Sequence, residues 1–169
     1  RSAWALLFPL FVVVSSCSDR VPPAIEPDPE MEQKIEAILR DMTLEEKVGQ
    51  MAQITITVFQ NEDEQGNPQW ISPILDSVIS RYKVGSILNV ISAQAQTREL
   101  TARMIQQLQE KSMQEIGIPC LYGLDQIHGA SYIADATLFP QEINLAATFD
   151  RVHAYRMGQV TAYESRASL

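Results

Sequence analysis

A chain of 169 residues is long enough to bury one ordinary hydrophobic core. Its composition, 46% hydrophobic and 20% charged, is that of a globular protein. The net charge of -8 and the lack of any Lys/Arg cluster exclude a nucleic-acid partner, although the charge alone selects no function.

The chain opens on Arg1, and its last segment, 151–169, has a helical pattern without a stop signal, so both ends read as cuts. Residues 4–14 form an apolar run, too short for a membrane-spanning helix and suited to the hydrophobic region of a secretory signal over 1–16. Val14-Ser15-Ser16-Cys17 resembles the lipobox of bacterial lipoproteins, in which the Cys thiol is acylated; this makes Cys17 the candidate lipidation site and the anchor the only membrane contact expected. A plain cleaved signal is the alternative. Loss of Arg1 with the signal makes the mature chain one unit more acidic. Residues 17–30, polar and with four prolines, read as an extended tether, because proline lacks the backbone donor that a helix uses. The expected location is therefore the bacterial periplasm or the outer membrane.

The folded part is expected over 31–169. Residues 31–40 place Ile35, Ile38 and Leu39 at helical spacing. Thr43-Leu44-Glu45-Glu46 is a capping box, which predicts a short helix through Val48 and Met51. Residues 54–59 alternate enough to predict a strand, and 61–69, polar with Gly66 and Pro68, predicts a loop. A helical pattern over 71–81 precedes a buried strand over 84–90. The clearest helix is 97–116, with Leu100, Met104, Leu108 and Ile116 on one face, Ala102 and Ile105 flanking it, and Gly117 closing it. A second buried strand, 118–124, is followed by helices over 139–147 and 151–168. Strands apolar on both faces and separated by long helices predict parallel βα units. The fold class is α/β, the first part of a (β/α)8-like barrel whose full length of about 250 residues this chain does not supply.

Strand 118–124 runs straight into Asp125-Gln126-Ile127-His128-Gly129. Ligands of parallel α/β folds bind at the C-terminal ends of strands, and an ionised carboxylate there accepts two hydrogen bonds from sugar hydroxyls. Asp also favours turns that have no function, so spacing alone leaves both readings open.

Five ordered blocks shift the weight toward the sugar ligand. They are 42–51 (Met-Thr-Leu-Glu-Glu-Lys-Val-Gly-Gln-Met), 84–88 (Val-Gly-Ser-Ile-Leu), 118–129 (Ile-Pro-Cys-Leu-Tyr-Gly-Leu-Asp-Gln-Ile-His-Gly), 136–141 (Ala-Thr-Leu-Phe-Pro-Gln) and 144–150 (Asn-Leu-Ala-Ala-Thr-Phe-Asp). With 161–167, the chain resembles glycoside hydrolase family 3 from about Met42 to its end; the lipobox adds a lipoprotein of Bacteroidetes type. The resemblance implies a barrel usually followed by an α/β sandwich domain, and a retaining, exo-acting β-glycosidase that releases terminal β-D-glucosyl residues from a β-linked gluco-oligosaccharide. It makes Asp125 the ligand of the terminal sugar's hydroxyls. The family's nucleophilic Asp, its acid/base Glu and its Lys-His and Arg sugar ligands have no counterpart here, so no catalytic residue is assigned and the chain alone is expected to be inactive. Ile127-His128-Gly129 stands where the N-acetylglucosaminidase branch commonly has Glu-Gly-Gly, which favours β-glucosidase or exo-glucanase specificity over β-N-acetylglucosaminidase, with β-xylosidase behind.

Other residues carry less. Asp125 and His128 do not make the three-ligand set of a catalytic zinc, so no metal and no cofactor are expected; His128 is expected to organise its loop through hydrogen bonds. Cys120 reads as a core thiol. Glu142 reads as helical and structural, and Asp150 and His153 as exposed residues of a helix start. Trp70 and Tyr122 have rings able to stack on a sugar, although Tyr122 lies in an apolar strand and reads as core. The rival readings are a non-enzymatic sugar-binding lipoprotein and an unrelated α/β lipoprotein in which Asp125 only makes a turn.

Overall fold

The structure is a computed structural model that describes residues 27–92 and 94–168. The signal segment, Cys17 and all but the last four residues of the tether lie outside the described residues. The chain divides into two compact units, Arg1–Arg40 and Asp41–Leu169.

The first helix, α1, spans Pro29–Asp41 and so takes in the last two residues expected to be tether. Proline is tolerated at the first helical position, where its missing N–H would have had no partner. The Asp28 carboxylate caps the helix, accepting from the N–H groups of Glu30 at 2.9 Å and Met31 at 3.3 Å.

The second unit begins with α2, Leu44–Met51, whose capping box forms as its sequence predicts. Thr43 Oγ1 accepts from Glu46 N–H at 3.2 Å, and Thr43 N–H donates to the Glu46 carboxylate at 2.9 Å. Strand β1, Gln53–Thr55, follows directly; the expected strand over 54–59 is cut short by a 3₁₀ turn over Ile56–Val58. That turn sends Ile56 and Phe59 into the core, which a continued strand would not do. The stretch expected to be a loop contains an antiparallel hairpin, β2 (Gln60–Glu62) with β3 (Pro68–Trp70). Its polarity reflects exposure. The Asp63 carboxylate organises its turn by accepting from Gln65 and Asn67 N–H, at 2.9 and 2.8 Å, and the Asn67 bonds hold that carboxyl below its usual range.

Helix α3, Ser72–Asp76, loosens into a π turn over Ser77–Arg81 and leads to strand β4, Ser86–Leu88. Helix α4, Arg98–Glu115, buries Thr101, Met104, Ile105, Leu108 and Ser112, one stripe at 3.6-residue spacing. Strand β5 is Leu121–Gly123. The expected helix over 139–147 shrinks to α5, Glu142–Ala146: Pro140 disfavours helical backbone at Phe139 before it, and Gln141, at ψ 148°, is still extended. Helix α6 spans Arg151–Ala167 and is capped by the Asp150 carboxylate on Val152 N–H at 2.8 Å.

The three strands β1, β4 and β5 form one parallel sheet in the order β1-β4-β5, with Gln53, Ser86 and Leu121 in one row and Thr55, Leu88 and Gly123 in another. The middle row, Ile54, Ile87 and Tyr122, packs into the core with Leu75, Ile79, Met104 and Leu108. Helix α4 grips the start of β5 through side chains: the Gln109 amide both accepts from Cys120 N–H (2.9 Å) and donates to Cys120 carbonyl (2.6 Å), and Ser112 Oγ donates to Ile118 carbonyl at 2.8 Å. Helix α2 lies backbone to backbone on the segment before β4. A Cβ at Gly49 would stand 1.9 Å from the Tyr82 carbonyl oxygen, which explains the glycine of the Val-Gly-Gln-Met block.

The other face of the sheet departs from the expectation of strands apolar on both sides. It carries Gln53, Thr55 and Ser86, with the Gln53 amide donating to Ser86 Oγ at 2.7 Å, and Leu121 there is 73% exposed. In a closed barrel that face is the interior, filled by side chains from strands all round the ring.

Candidate active-site rim

All three strands of the parallel sheet point the same way, so their following loops gather on one rim. The loops are 56–71, which contains the hairpin, 89–97, and 124–141. Asp125 sits two residues past the end of β5, exposed on that rim. Tyr132 lies within electrostatic reach of it: partial burial, and then the negative charge of Asp125, push the Tyr132 phenol up.

The loops are tied to one another. Ser92 Oγ donates to the Glu62 carboxylate at 2.5 Å, joining the first loop to the second. Gln96 joins the second to the third, its N–H donating to Tyr132 carbonyl (3.1 Å) and its carbonyl accepting from Ala134 N–H (2.7 Å). Beneath them, Asn89 N–H donates to Gly123 carbonyl at 2.8 Å, and Tyr122 hydroxyl donates to Asn89 carbonyl at 2.5 Å. Tyr122 is thus a core residue as read, and burial holds its phenol well above the usual range.

The Asp125 loop turns back on itself at Gly129, whose φ is +103°. A Cβ there would stand 2.1 Å from the Thr137 carbonyl oxygen, so only glycine lets the two passes of backbone approach this closely. Phe139 N–H donates to His128 carbonyl at 2.9 Å beside it. His128 therefore organises the loop through its main chain; its ring Nδ1 is buried without a partner among the described residues.

Several candidates take ordinary roles. Trp70 stacks on Phe59, centroids 5.9 Å apart, and its indole N–H donates to Gln107 at 2.9 Å, so its ring is engaged within the protein. Cys120 is buried, and desolvation pushes its thiol up to about 11. Glu142 is exposed at the start of α5, and His153 faces Asp150 at 3.2 Å on the surface of α6. The sequence reading missed Glu164 on α6. Its carboxylate binds Thr137, 27 residues away, a distance across which no periodicity or local motif carries a signal.

A parallel sheet with helices on one face, an open interior face and a carboxylate on its C-terminal rim is the first part of a (β/α)8-like barrel. The chain belongs to glycosyl hydrolase family 3: the model of that family's N-terminal domain matches residues 43–168. A lysosomal β-glucosidase of Dictyostelium discoideum is 31% identical over 147 residues, 79% of this chain and 17% of the relative. A periplasmic β-glucosidase of Salmonella typhimurium is 27% identical over 130 residues, 76% of this chain and 14% of the relative. Among solved structures, a mutant exo-1,3/1,4-β-glucanase from Pseudoalteromonas sp. superposes with a TM-score of 0.64 at 30% identity, covering 85% of this chain and 22% of that one. A family 3 β-N-acetylglucosaminidase from Paenibacillus sp. shares the fold, with a TM-score of 0.59 at 23% identity over 75% of this chain and 22% of that one. The chain therefore spans less than a quarter of each of these proteins.

Proposed function

We propose that this chain is the N-terminal part of a retaining, exo-acting β-glycosidase that removes terminal β-D-glucosyl residues from oligosaccharides, with Asp125 as a ligand of the terminal sugar. The observation that carries the reading is the exposed Asp125 carboxylate at the C-terminal rim of a parallel sheet, on a loop tied at several points. The β-glucosidase and exo-glucanase relatives supply the substrate class. Retention needs two carboxyl groups about 5–5.5 Å apart, one as nucleophile and one as acid/base. In this proposal both come from residues beyond Leu169, whose strands also cover the open sheet face. Asp125 orients the ring and strengthens its contacts as the transition state forms. Lipidation at Cys17, with the residues between it and α1 as tether, would hold the enzyme at a periplasmic membrane face.

The test is hydrolysis of an aryl β-glucoside by the full-length gene product. Two charge-assisted hydrogen bonds of about 1.5–3 kcal/mol each make Asp125→Ala cost roughly 10²–10⁴ in kcat/KM. An unchanged kcat/KM would remove Asp125 from the sugar site. Turnover by the purified 169-residue chain would refute the placement of the catalytic pair.

A further inference from the structure

We propose that Glu164 is a positioning residue for the sugar site, acting through Thr137 on the loop that carries Asp125; this rests on the function proposed above. The 124–141 loop has no regular secondary structure beyond one isolated bridge between Gln96 and Ile133. Its shape therefore depends on individual ties, and a sugar ligand on such a loop must be held to a fraction of an ångström to bind productively. At the middle of the loop, Gln96 holds Tyr132 and Ala134. Three residues further on, both oxygens of Glu164 are used on one residue: Oε2 accepts from Thr137 N–H at 2.9 Å, and Oε1 accepts from Thr137 Oγ1 at 2.7 Å. Charge-assisted, two-point attachment fixes orientation as well as distance.

The contact does not end at Thr137. Its carbonyl oxygen abuts Gly129, and Phe139 N–H binds His128 carbonyl, so residues 137–139 lie against residues 128–129. Any shift of Thr137 is passed to Gly129, four residues from Asp125, because the space between the two backbones is already filled. Helix α6 gains little from the contact for its own sake: its N-terminus is already capped by Asp150, and Thr137 is an exposed residue. The arrangement runs from helix α6 to the loop of the proposed sugar ligand, as in sites where supporting residues lock the geometry of a ligand.

The experiment measures kcat, KM and thermal midpoint of the full-length enzyme on an aryl β-glucoside for Glu164→Ala, Glu164→Gln, Thr137→Val and Asp125→Ala. Glu164→Ala is expected to raise KM about tenfold, the scale of one lost charge-assisted hydrogen bond, with kcat falling less. Glu164→Gln keeps an acceptor for Thr137 N–H and a donor for Thr137 Oγ1, so it is expected to restore KM to within about threefold of wild type. A merely structural contact would lower the thermal midpoint without this split or rescue. Thr137→Val removes only the hydroxyl and carries the test if Glu164→Ala does not fold; its expected KM rise is about threefold. Normal KM in folded Glu164→Ala, or Glu164→Gln as impaired as Glu164→Ala, overturns the inference while an impaired Asp125→Ala leaves the site standing. Normal KM in Asp125→Ala overturns the site itself, and this inference with it.

Discussion

Replacing Gly129 by alanine perturbs the one point where the Asp125 loop passes over itself. Two costs add. At φ +103° an L-residue sits outside its allowed basins, a strain of about 1–3 kcal/mol. The new Cβ would also meet the Thr137 carbonyl oxygen at 2.1 Å, against an ordinary contact of 3.4 Å or more. Thr137 must then retreat by about an ångström, but its N–H and hydroxyl are both held by Glu164. Overpacking against a fixed neighbour costs about another 1–3 kcal/mol, which gives a total of about 2–6 kcal/mol. Gly117 supplies the comparison: its φ is +75°, and nothing lies within 4 Å of a Cβ built there, so Gly117→Ala should cost only the strain, about 1–2 kcal/mol. Urea unfolding of the full-length gene product, followed by far-ultraviolet circular dichroism, reads both variants against wild type. If Gly129→Ala proves no less stable than Gly117→Ala, the close approach of Thr137 does not constrain the loop and the reasoning is wrong.

Gln109→Ala leaves both the N–H and the carbonyl of Cys120 without their partner, and should lower unfolding free energy by about 2–4 kcal/mol in the same assay. In a Cys17→Ser background, Cys120, with its thiol pushed up to about 11 by burial, should react with a disulfide reagent at pH 8 about a hundredfold more slowly than a free cysteine, and at the free rate once unfolded in guanidinium. Thr43→Ala removes the hydroxyl that caps α2 and should cost about 1 kcal/mol. The Thr43 N–H bond also holds the Glu46 carboxyl below its ordinary 4.5. A carboxyl depressed by folding stabilises above that ordinary value and ceases to as pH falls through its folded value. Glu46→Gln should therefore flatten the loss of stability measured from about pH 5 to pH 3, and an equal slope in wild type and variant would contradict the capping contact.

The capping box at Thr43 and Glu46, the apolar spacing along α4 and the run into β5 were legible in the sequence because each is fixed by neighbours within a turn or two. Asp125 was legible as a candidate for a different reason: its block stands in a fixed order with four others, and that order carried the family resemblance. The hairpin β2–β3 was not legible, since its pairs Gln60–Trp70 and Glu62–Pro68 show no alternation of apolar and polar residues. Nor was the early end of β1, where core packing of Ile56 and Phe59 outweighed a strand-like pattern.

By itself, then, the sequence determined the alternation of helices with the three parallel strands, the family, and the carboxylate at the end of β5. Only the tertiary structure decided that Trp70 is engaged by Phe59 and Gln107, that His128 works through its main chain, and that Glu164 reaches Thr137 behind the Asp125 loop. The physical reason is range. Helix caps and periodic stripes are set by residues a few positions apart, whereas a carboxylate that meets a backbone 27 residues away does so only after β5, its loop and α6 have packed together.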